Sequence, residues 1–397
     1  MISEAMYELG SKRSTIRELF EYGKKRAAIV GKENVFDFSI GNPTVPAPAC
    51  VKESILEILE TEESSAIHGY TSAQGDLEVR KGLAEYLNKT YGLNVSADNF
   101  YMTCGAAASL CISIKALVES SEDEFIAIAP FFPEYRVFTE GNGGKLVVVA
   151  PDLASFQVNF EGLEAAINAH TKAVIINSPN NPSGVIYTEE TIIKISDLLK
   201  RKSEEYGHPI ILISDEPYRE IAYDHTKVPY ITKYYDNTIV CYSYSKSLSL
   251  PGDRIGYILV PDEVAESKKL YAAICGAARV LGFVCAPSLF QKVILKCMGQ
   301  TSDMDVYKAN RDLLYNKLTE LGFECVHPDG AFYLFVKAME EDAVAFCEKA
   351  KAYDLLLVAG DDFGCPGYVR ISYCVDQSML ERSFTAFKKL ADEYQNI

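Results

Sequence analysis

The chain has no tryptophan, five histidines and no Cys-x-x-Cys pair in 397 residues. His68, His170, His208, His225 and His327 are scattered without metal-ligand spacing, so no metal centre is expected. The 11 cysteines are odd in number, and Cys111, Cys241, Cys285 and Cys347 lie in apolar stretches. Buried free thiols in a reducing compartment explain them better than a disulfide framework. No apolar run approaches the ~20 residues that cross a bilayer, so no membrane partner is expected. The opening Met1-Ile-Ser-Glu-Ala-Met6 lacks the basic and apolar regions of a secretory signal, and a cytoplasmic location is expected. Positive charge is also short. Against 55 Asp+Glu stand 39 Lys+Arg, a formal net charge of −16. That disfavours a nucleic-acid partner, which needs clustered cations.

What is present reads as a large α/β protein, with 48% hydrophobic residues. Short apolar runs at Asn99–Cys104, Phe125–Ala129, Lys145–Ala150, Lys172–Asn177, Ile210–Ser214, Thr238–Tyr242 and Gly256–Val260 read as strands. Several are apolar throughout, as strands covered on both faces are. Helical periodicity separates them, as in Glu189–Tyr206, and the alternation predicts a mainly parallel seven-stranded sheet flanked by helices. After about residue 290 the pattern changes to a long helix over Asp303–Leu321, then short strands including Ala331–Val336, Leu355–Val358 and Tyr368–Tyr373, with a helix over Asp342–Tyr353. The expected division is residues 1–45 as an N-terminal arm and part of a small domain, 46–290 as the large domain, and 291–397 as a smaller α+β domain.

The chemistry gathers where strands end. Ligands of open parallel sheets bind at the carboxyl ends of the strands. There this chain places Gly105-Ala106-Ala107 at a helix start, Phe132, Asn181-Pro-Ser-Gly184, Asp215-Glu-Pro-Tyr218, and Ser243-Tyr-Ser245-Lys246. Lys246 follows a buried strand and precedes Arg254, in a Pro-Gly turn, by 8 residues. Burial beside a second fixed cation depresses a lysine's pKa and makes it a nucleophile toward aldehydes, the chemistry of a Schiff base. Each piece alone has a plain structural use: Asp215 as a helix cap, Asn181-Pro-Ser-Gly184 as a turn, Gly105 as a tight strand-to-helix junction.

The ordered set resembles the fold-type I pyridoxal-phosphate aminotransferases of class I/II, the aspartate aminotransferase superfamily. The resemblance runs from Phe38-Ser-Ile-Gly41 to Tyr368-Val-Arg370-Ile-Ser372. It implies pyridoxal 5'-phosphate held covalently by Lys246, which would also act as general base at the substrate Cα. Asp215 would pair with the ring nitrogen, and Tyr218 and Asn181 with the ring 3-oxygen. Arg254, Ser243, Ser245 and the backbone of Gly105, Ala106 and Ala107 would hold the phosphate, with Phe132 against the ring face. Tyr70 resembles a tyrosine that reaches the phosphate from a partner subunit, implying a homodimer with shared sites. Arg370, with Gly41 and Asn181, would hold the substrate carboxylate. The implied activity moves an amino group between an L-amino acid and a 2-oxo acid by a ping-pong route, aspartate-type or of broad specificity.

Two other readings share the scaffold. A lyase is one: the Ser-x-Ser-Lys-x-x-x-Leu-Pro-Gly-x-Arg pattern is shared with cyclopropane-carboxylate synthases, whereas the C–S β-lyase pattern differs here. An effector-binding module of a transcription regulator is the other, disfavoured by the short segment before Gly41 and by the acidic charge. A dicarboxylic substrate calls for a second cation, for which Arg13, Arg17, Arg136 and Arg279 are candidates. An aromatic or aliphatic one would suit a pocket involving Phe332 and Tyr333.

Overall fold

The structure, a computed structural model, describes residues 2–11 and 15–395. Seven strands form the central sheet: β1 (Phe100–Thr103), β2 (Glu124–Ile128), β3 (Lys145–Val149), β4 (Thr171–Asn177), β5 (Ile211–Asp215), β6 (Thr238–Ser243) and β7 (Gly256–Leu259). Their spatial order is β1-β7-β6-β5-β4-β2-β3. The five strands from β6 to β3 run parallel, and β7 runs against both of its neighbours.

The strands are apolar on both faces because helices cover both. Ile175, Ile211, Ile213 and Ile239 pack toward the helices Ala106–Leu117 and Ser267–Leu281. Their alternating neighbours Val174, Ile176 and Leu212 pack toward Glu189–Tyr206 through Ile192, Ile195 and Leu199. A period of two thus serves two separate cores.

Register positions the site. Asn177 lies opposite Asp215, and Asp215 opposite Cys241. Ser243 lies opposite Gly256, which lies opposite Thr103. The ends of β4, β5, β6 and β1 therefore share one rim, at which the antiparallel β7 begins rather than ends.

A second, four-stranded antiparallel sheet orders Val358–Ala359, Tyr368–Ser372, Tyr333–Lys337 and Cys325–Val326. The helices Met304–Glu320, Ala343–Lys351 and Gln377–Gln395 build a core with it. Phe36–Asp37 pairs in parallel with Leu355–Leu356, and Phe38 meets Phe387 with ring centroids 5.8 Å apart.

Three expectations change in detail. Leu355–Val358 is not one strand: Leu355–Leu356 pairs with Phe36–Asp37, whereas Val358–Ala359 joins the four-stranded sheet. The whole run is buried, so its hydrophobicity carries no mark of the switch at Leu357. The strand predicted from Asn99 begins at Phe100, because the Asn99 side chain is engaged in a cap, accepting from the Ser96 amide at 2.7 Å and donating to the Val260 carbonyl at 2.9 Å. The segment before Phe36 also carries two helices, Glu4–Ser11 and Thr15–Val30, which the reading as an arm did not anticipate.

Candidate active site

A cleft of roughly 300 Å³ opens at the strand rim, lined by residues that follow the central strands and by Tyr333 and Arg370 of the four-stranded sheet. At one end the β1, β6 and β7 termini meet. Gly105 caps the helix Ala106–Leu117 at φ +88° with no side-chain cap, leaving the first amides of that helix for a ligand. A Cβ on Gly105 would lie 3.0 Å from Arg254 Nη2. A Cβ on Gly256 would lie 2.2 Å from the Tyr242 carbonyl oxygen and 3.0 Å from Gly105 Cα. Both glycines are needed for the close approach of these backbones. The Ser243 and Ser245 hydroxyls lie 2.7 Å apart, and the Ser245 amide donates to Ser243 Oγ at 3.1 Å. Arg254, at φ +55°, donates to the Pro251 carbonyl at 2.9 Å. Hydroxyls, free helix amides and a guanidinium on one corner suit a phosphate dianion.

In the middle lie Lys246 and Asp215. Lys246 is in a single helical turn, Tyr244–Ser247, directly after β6. Its Nζ donates to the Gly41 carbonyl at 2.7 Å and lies 5.3 Å from the Phe332 ring centre. Burial pulls its pKa down to about 8, and the guanidiniums of Arg370 and Arg254 add to the fall, against an opposing effect of Cys374. About a tenth of this amine is therefore neutral and nucleophilic at pH 7, far more than at the ordinary lysine pKa of about 10.4.

Asp215 closes β5 and is 4% exposed. Its Oδ2 accepts from the Tyr135 hydroxyl at 2.6 Å, while Oδ1 is buried without a partner. Burial raises its pKa to about 7, the Tyr135 hydrogen bond lowers it, and Glu216 raises it. A buried carboxylate oxygen left unpaired is costly, and a cationic N–H donor would relieve that cost.

At the far end, Arg370 projects from the strand Tyr368–Ser372 and is 2% exposed. It donates to Asn181 Oδ1 at 3.1 Å and to the Ser39 carbonyl, and its Nε has no partner. Burial lowers its pKa, opposed by Tyr333 and Tyr218. Among the described residues no carboxylate pairs with it, so a buried guanidinium faces the cleft without its counterion. An amide relay ties this end to the middle: Asn177 donates to the Asp215 carbonyl at 2.9 Å, and the Asn181 amide donates to Asn177 Oδ1 at 2.7 Å. The Tyr218 and Tyr333 hydroxyls are 3.0 Å apart, and a Cβ on Gly41 would come within 1.9 Å of the Tyr333 hydroxyl.

The structure thus brings Lys246, Asp215, Tyr218, Asn181, Ser243, Ser245, Arg254, Ala106, Ala107, Phe132, Gly41 and Arg370 onto one cleft, with Gly105 at its edge. Tyr70 lies outside it and is 98% exposed. Phe332 is fully buried beneath Tyr218 with ring centroids 5.5 Å apart, so Tyr333 and not Phe332 borders the cleft. Of the candidate second cations, Arg136 pairs with Glu140 at 2.7 Å, and neither Arg17 nor Arg279 borders the cleft. Arg13 lies outside the described residues.

Sequence reasoning assigned no role to Tyr135, Asn177 or Ile16. Tyr135 had a legible signal, since it follows Phe132 by three residues at a helix start, and the two rings meet edge to face at 5.7 Å. Nothing local marks Asn177 or Ile16.

Comparison with known proteins agrees along the whole chain. The aminotransferase class I and II family matches residues 33–387. A crystal structure of an amino transferase from Eubacterium rectale is 64% identical, covers 99% of both chains and superposes with a TM-score of 0.98. The aspartate aminotransferase of Thermotoga maritima is 29% identical over 384 residues, 95% of this chain and 96% of that protein. Its crystal structure superposes with a TM-score of 0.87, covering 98% of this chain and 100% of that one at 28% identity. A probable aspartate aminotransferase of Methanocaldococcus jannaschii is 30% identical over 387 residues, 96% of this chain and 97% of its own. The chain belongs to the aminotransferase class I and II family, and its enzymes are transaminases.

Proposed function

We propose that this transaminase works with pyridoxal 5'-phosphate bound in the cleft described, exchanging amino groups between amino acids and 2-oxo acids. The observation that carries the reading is the buried Asp215 Oδ1, which has no hydrogen-bond partner and borders the cleft. When bound, the cofactor supplies an aldehyde and a protonated pyridine ring able to accept an electron pair.

The residues divide the remaining work. Lys246 holds the aldehyde through its amine and, once freed, moves the proton at the substrate Cα. Asp215 keeps the ring nitrogen protonated, and Tyr135 keeps Asp215 anionic. Tyr218 and Asn181 donate to the ring 3-oxygen, and Phe132 packs against the ring face. Arg254, Ser243, Ser245 and the amides of Gly105, Ala106 and Ala107 bind the phosphate, joined by Tyr70 of a partner copy in a homodimer. Arg370 binds the α-carboxylate with Asn181 and the Gly41 backbone. Fixing that carboxylate would set the orientation of the substrate Cα toward Lys246 and so favour loss of its proton over loss of CO₂. We read residues 1–45, 46–290 and 291–397 as arm, large domain and small domain. The 11 free cysteines support a cytoplasmic location.

The test is spectroscopic. Protein reconstituted with the cofactor is expected to absorb in the near-visible, and borohydride is expected to fix the cofactor covalently at Lys246. Loading is expected to speed up about tenfold per pH unit below pH ~8 and to level above it, as the amine loses its proton. Addition of an amino acid should bleach the band, and a 2-oxo acid should restore it. Unimpaired transamination by Lys246→Ala would overturn the assignment, and steady release of ammonia without an oxo-acid acceptor would identify a lyase instead.

A further inference from the structure

The segment Phe38-Ser39-Ile40-Gly41-Asn42 lies outside any helix or strand, and Ile40 and Gly41 line the cleft. Backbone carbonyls in such a strap have no ladder to join, so donors from elsewhere must hold it. The Phe38 carbonyl accepts from the Ser372 amide at 3.0 Å, the Ser39 carbonyl from Arg370, and the Gly41 carbonyl from Lys246 Nζ at 2.7 Å. The Asn42 carbonyl accepts from the Cys374 thiol at 3.3 Å, and the same sulfur lies 3.9 Å from the Ile40 carbonyl oxygen. Cys374 follows the strand Tyr368–Ser372 by two residues and is 1% exposed. One side chain thus meets the strap on both sides of Gly41, and the transamination reading has given it no part.

A buried thiol often fills space and nothing more. Two observations give this one a polar role. Burial holds its pKa above the ordinary value, against the lowering effects of Ser372, Lys246 and Arg370, so it keeps its proton and can donate. The Ser372 hydroxyl lies 3.1 Å from the sulfur, placed to donate to it once the thiol proton is turned toward Asn42. Gly41 has no side chain with which to fix itself, and a Cβ there would meet the Tyr333 hydroxyl. Its position comes from its neighbours.

We propose that Cys374 is a positioning residue for this reaction. Its thiol fixes Ile40–Asn42 from behind and so holds the Gly41 backbone where it meets the Lys246 amine and the substrate carboxylate. This rests on the cofactor reading above and deepens it. Around Lys246 the charged and titratable groups are Arg370 and Arg254, which lower its pKa, and Cys374, which raises it; the Tyr218 ring centre lies 5.9 Å from Nζ. A carbonyl that accepts from the ammonium favours the charged amine. Loosening Gly41 therefore pushes the lysine pKa further down, in the same direction as removing the thiol.

The pH dependence of loading cofactor-free protein with pyridoxal 5'-phosphate, followed by absorbance, reads this directly. Its midpoint, about 8 for the native chain, is expected to fall by about half a pH unit or more in Cys374→Ala. Cys374→Ser keeps a donor and is expected to stay within about 0.2 of the native midpoint. Cys374→Val keeps the volume without the donor and is expected to follow Cys374→Ala; it carries the comparison should the alanine variant fail to fold. For each amino acid that bleaches the native holoenzyme, the half-saturating concentration is expected to rise about three- to tenfold in the alanine and valine variants, with the limiting rate changing less. A midpoint unmoved in Cys374→Ala or Cys374→Val would overturn the proposal and leave Cys374 a filler of space. A Cys374→Ser midpoint displaced as far as that of Cys374→Ala would overturn it too, by showing that a donor there is not what matters. A native chain that neither loads nor is labelled by borohydride would overturn the cofactor reading, and this proposal with it.

Discussion

Asp215 is held in a setting that works against its own charge. Burial raises its pKa from 3.8 to about 7, and the Tyr135 hydroxyl is the group that pulls it back down. Below pH ~4 folded and unfolded chains both carry the proton; between there and pH ~7 the unfolded chain releases it and the folded chain keeps it. The folded state of the cofactor-free protein therefore loses stability as pH rises through that window, by up to about 4 kcal/mol. Two outcomes follow. Asp215→Asn is expected to raise the melting temperature of cofactor-free protein at pH 8 but not at pH 4, while transamination collapses. Tyr135→Phe is expected to move the acid limb of kcat/KM upward by about one pH unit, because the carboxylate loses its donor. Thermal melts and a pH–rate profile check them, and a Tyr135→Phe limb unmoved would remove Tyr135 as the group that positions Asp215. The gap between motif and mechanism is clearest at this pair. Asp215 was legible because it ends an apolar strand and precedes Tyr218 at a telling interval. Its partner belongs to a helix 80 residues earlier, and no local pattern joins them.

Strand ends set the geometry that side chains then use. The β1, β6 and β7 termini approach so closely that Gly256 and Gly105 leave no room for a Cβ between them, and this corner is where the phosphate donors gather. Gly256→Ala is expected to cost about 1–3 kcal/mol of stability and to weaken cofactor binding at least about tenfold, since the Tyr242 carbonyl cannot retreat without moving Ser243. Urea denaturation and a cofactor titration measure the two effects; unchanged affinity would show that the corner tolerates spreading. Elements of this kind were largely readable. Seven apolar runs marked the seven strands, because a strand buried on both faces needs little else. The split at Leu357 was not readable, since a run buried on all sides looks the same whichever sheet it joins. Nor were the helices before Phe36, where Glu4–Ser11 buries no side chain and Thr15–Val30 buries Leu19 and Gly23.

At the scale of the whole molecule, Tyr70 is 98% exposed and Val280 75% exposed, and the proposed function assigns Tyr70 to the phosphate corner of a second copy. If a second copy supplies it, two inactive variants complement each other. Tyr70→Ala and Lys246→Ala homodimers are each expected to be impaired, the first through cofactor affinity weakened at least about tenfold. Mixed and re-associated, they form hybrids in which the protomer with Lys246 receives an intact Tyr70 from the other, so tight cofactor binding returns in part. No recovery on mixing, with hybrids shown to form, would place Tyr70 outside the partner's site. The order of motifs across nearly the whole chain made the family legible, whereas the apolar part of the cleft lining was not, because Ile16, Ile40 and Leu110 come from three separate segments that only the fold assembles. The amide relay from the Asp215 carbonyl through Asn177 and Asn181 to Arg370 crosses from the central sheet to the four-stranded one. Three hydrogen bonds thus tether the strand end that carries Asp215 to the strand that carries Arg370, so a substitution that breaks the middle of the tether, at Asn177 or Asn181, removes a support from both ends of the cleft at once.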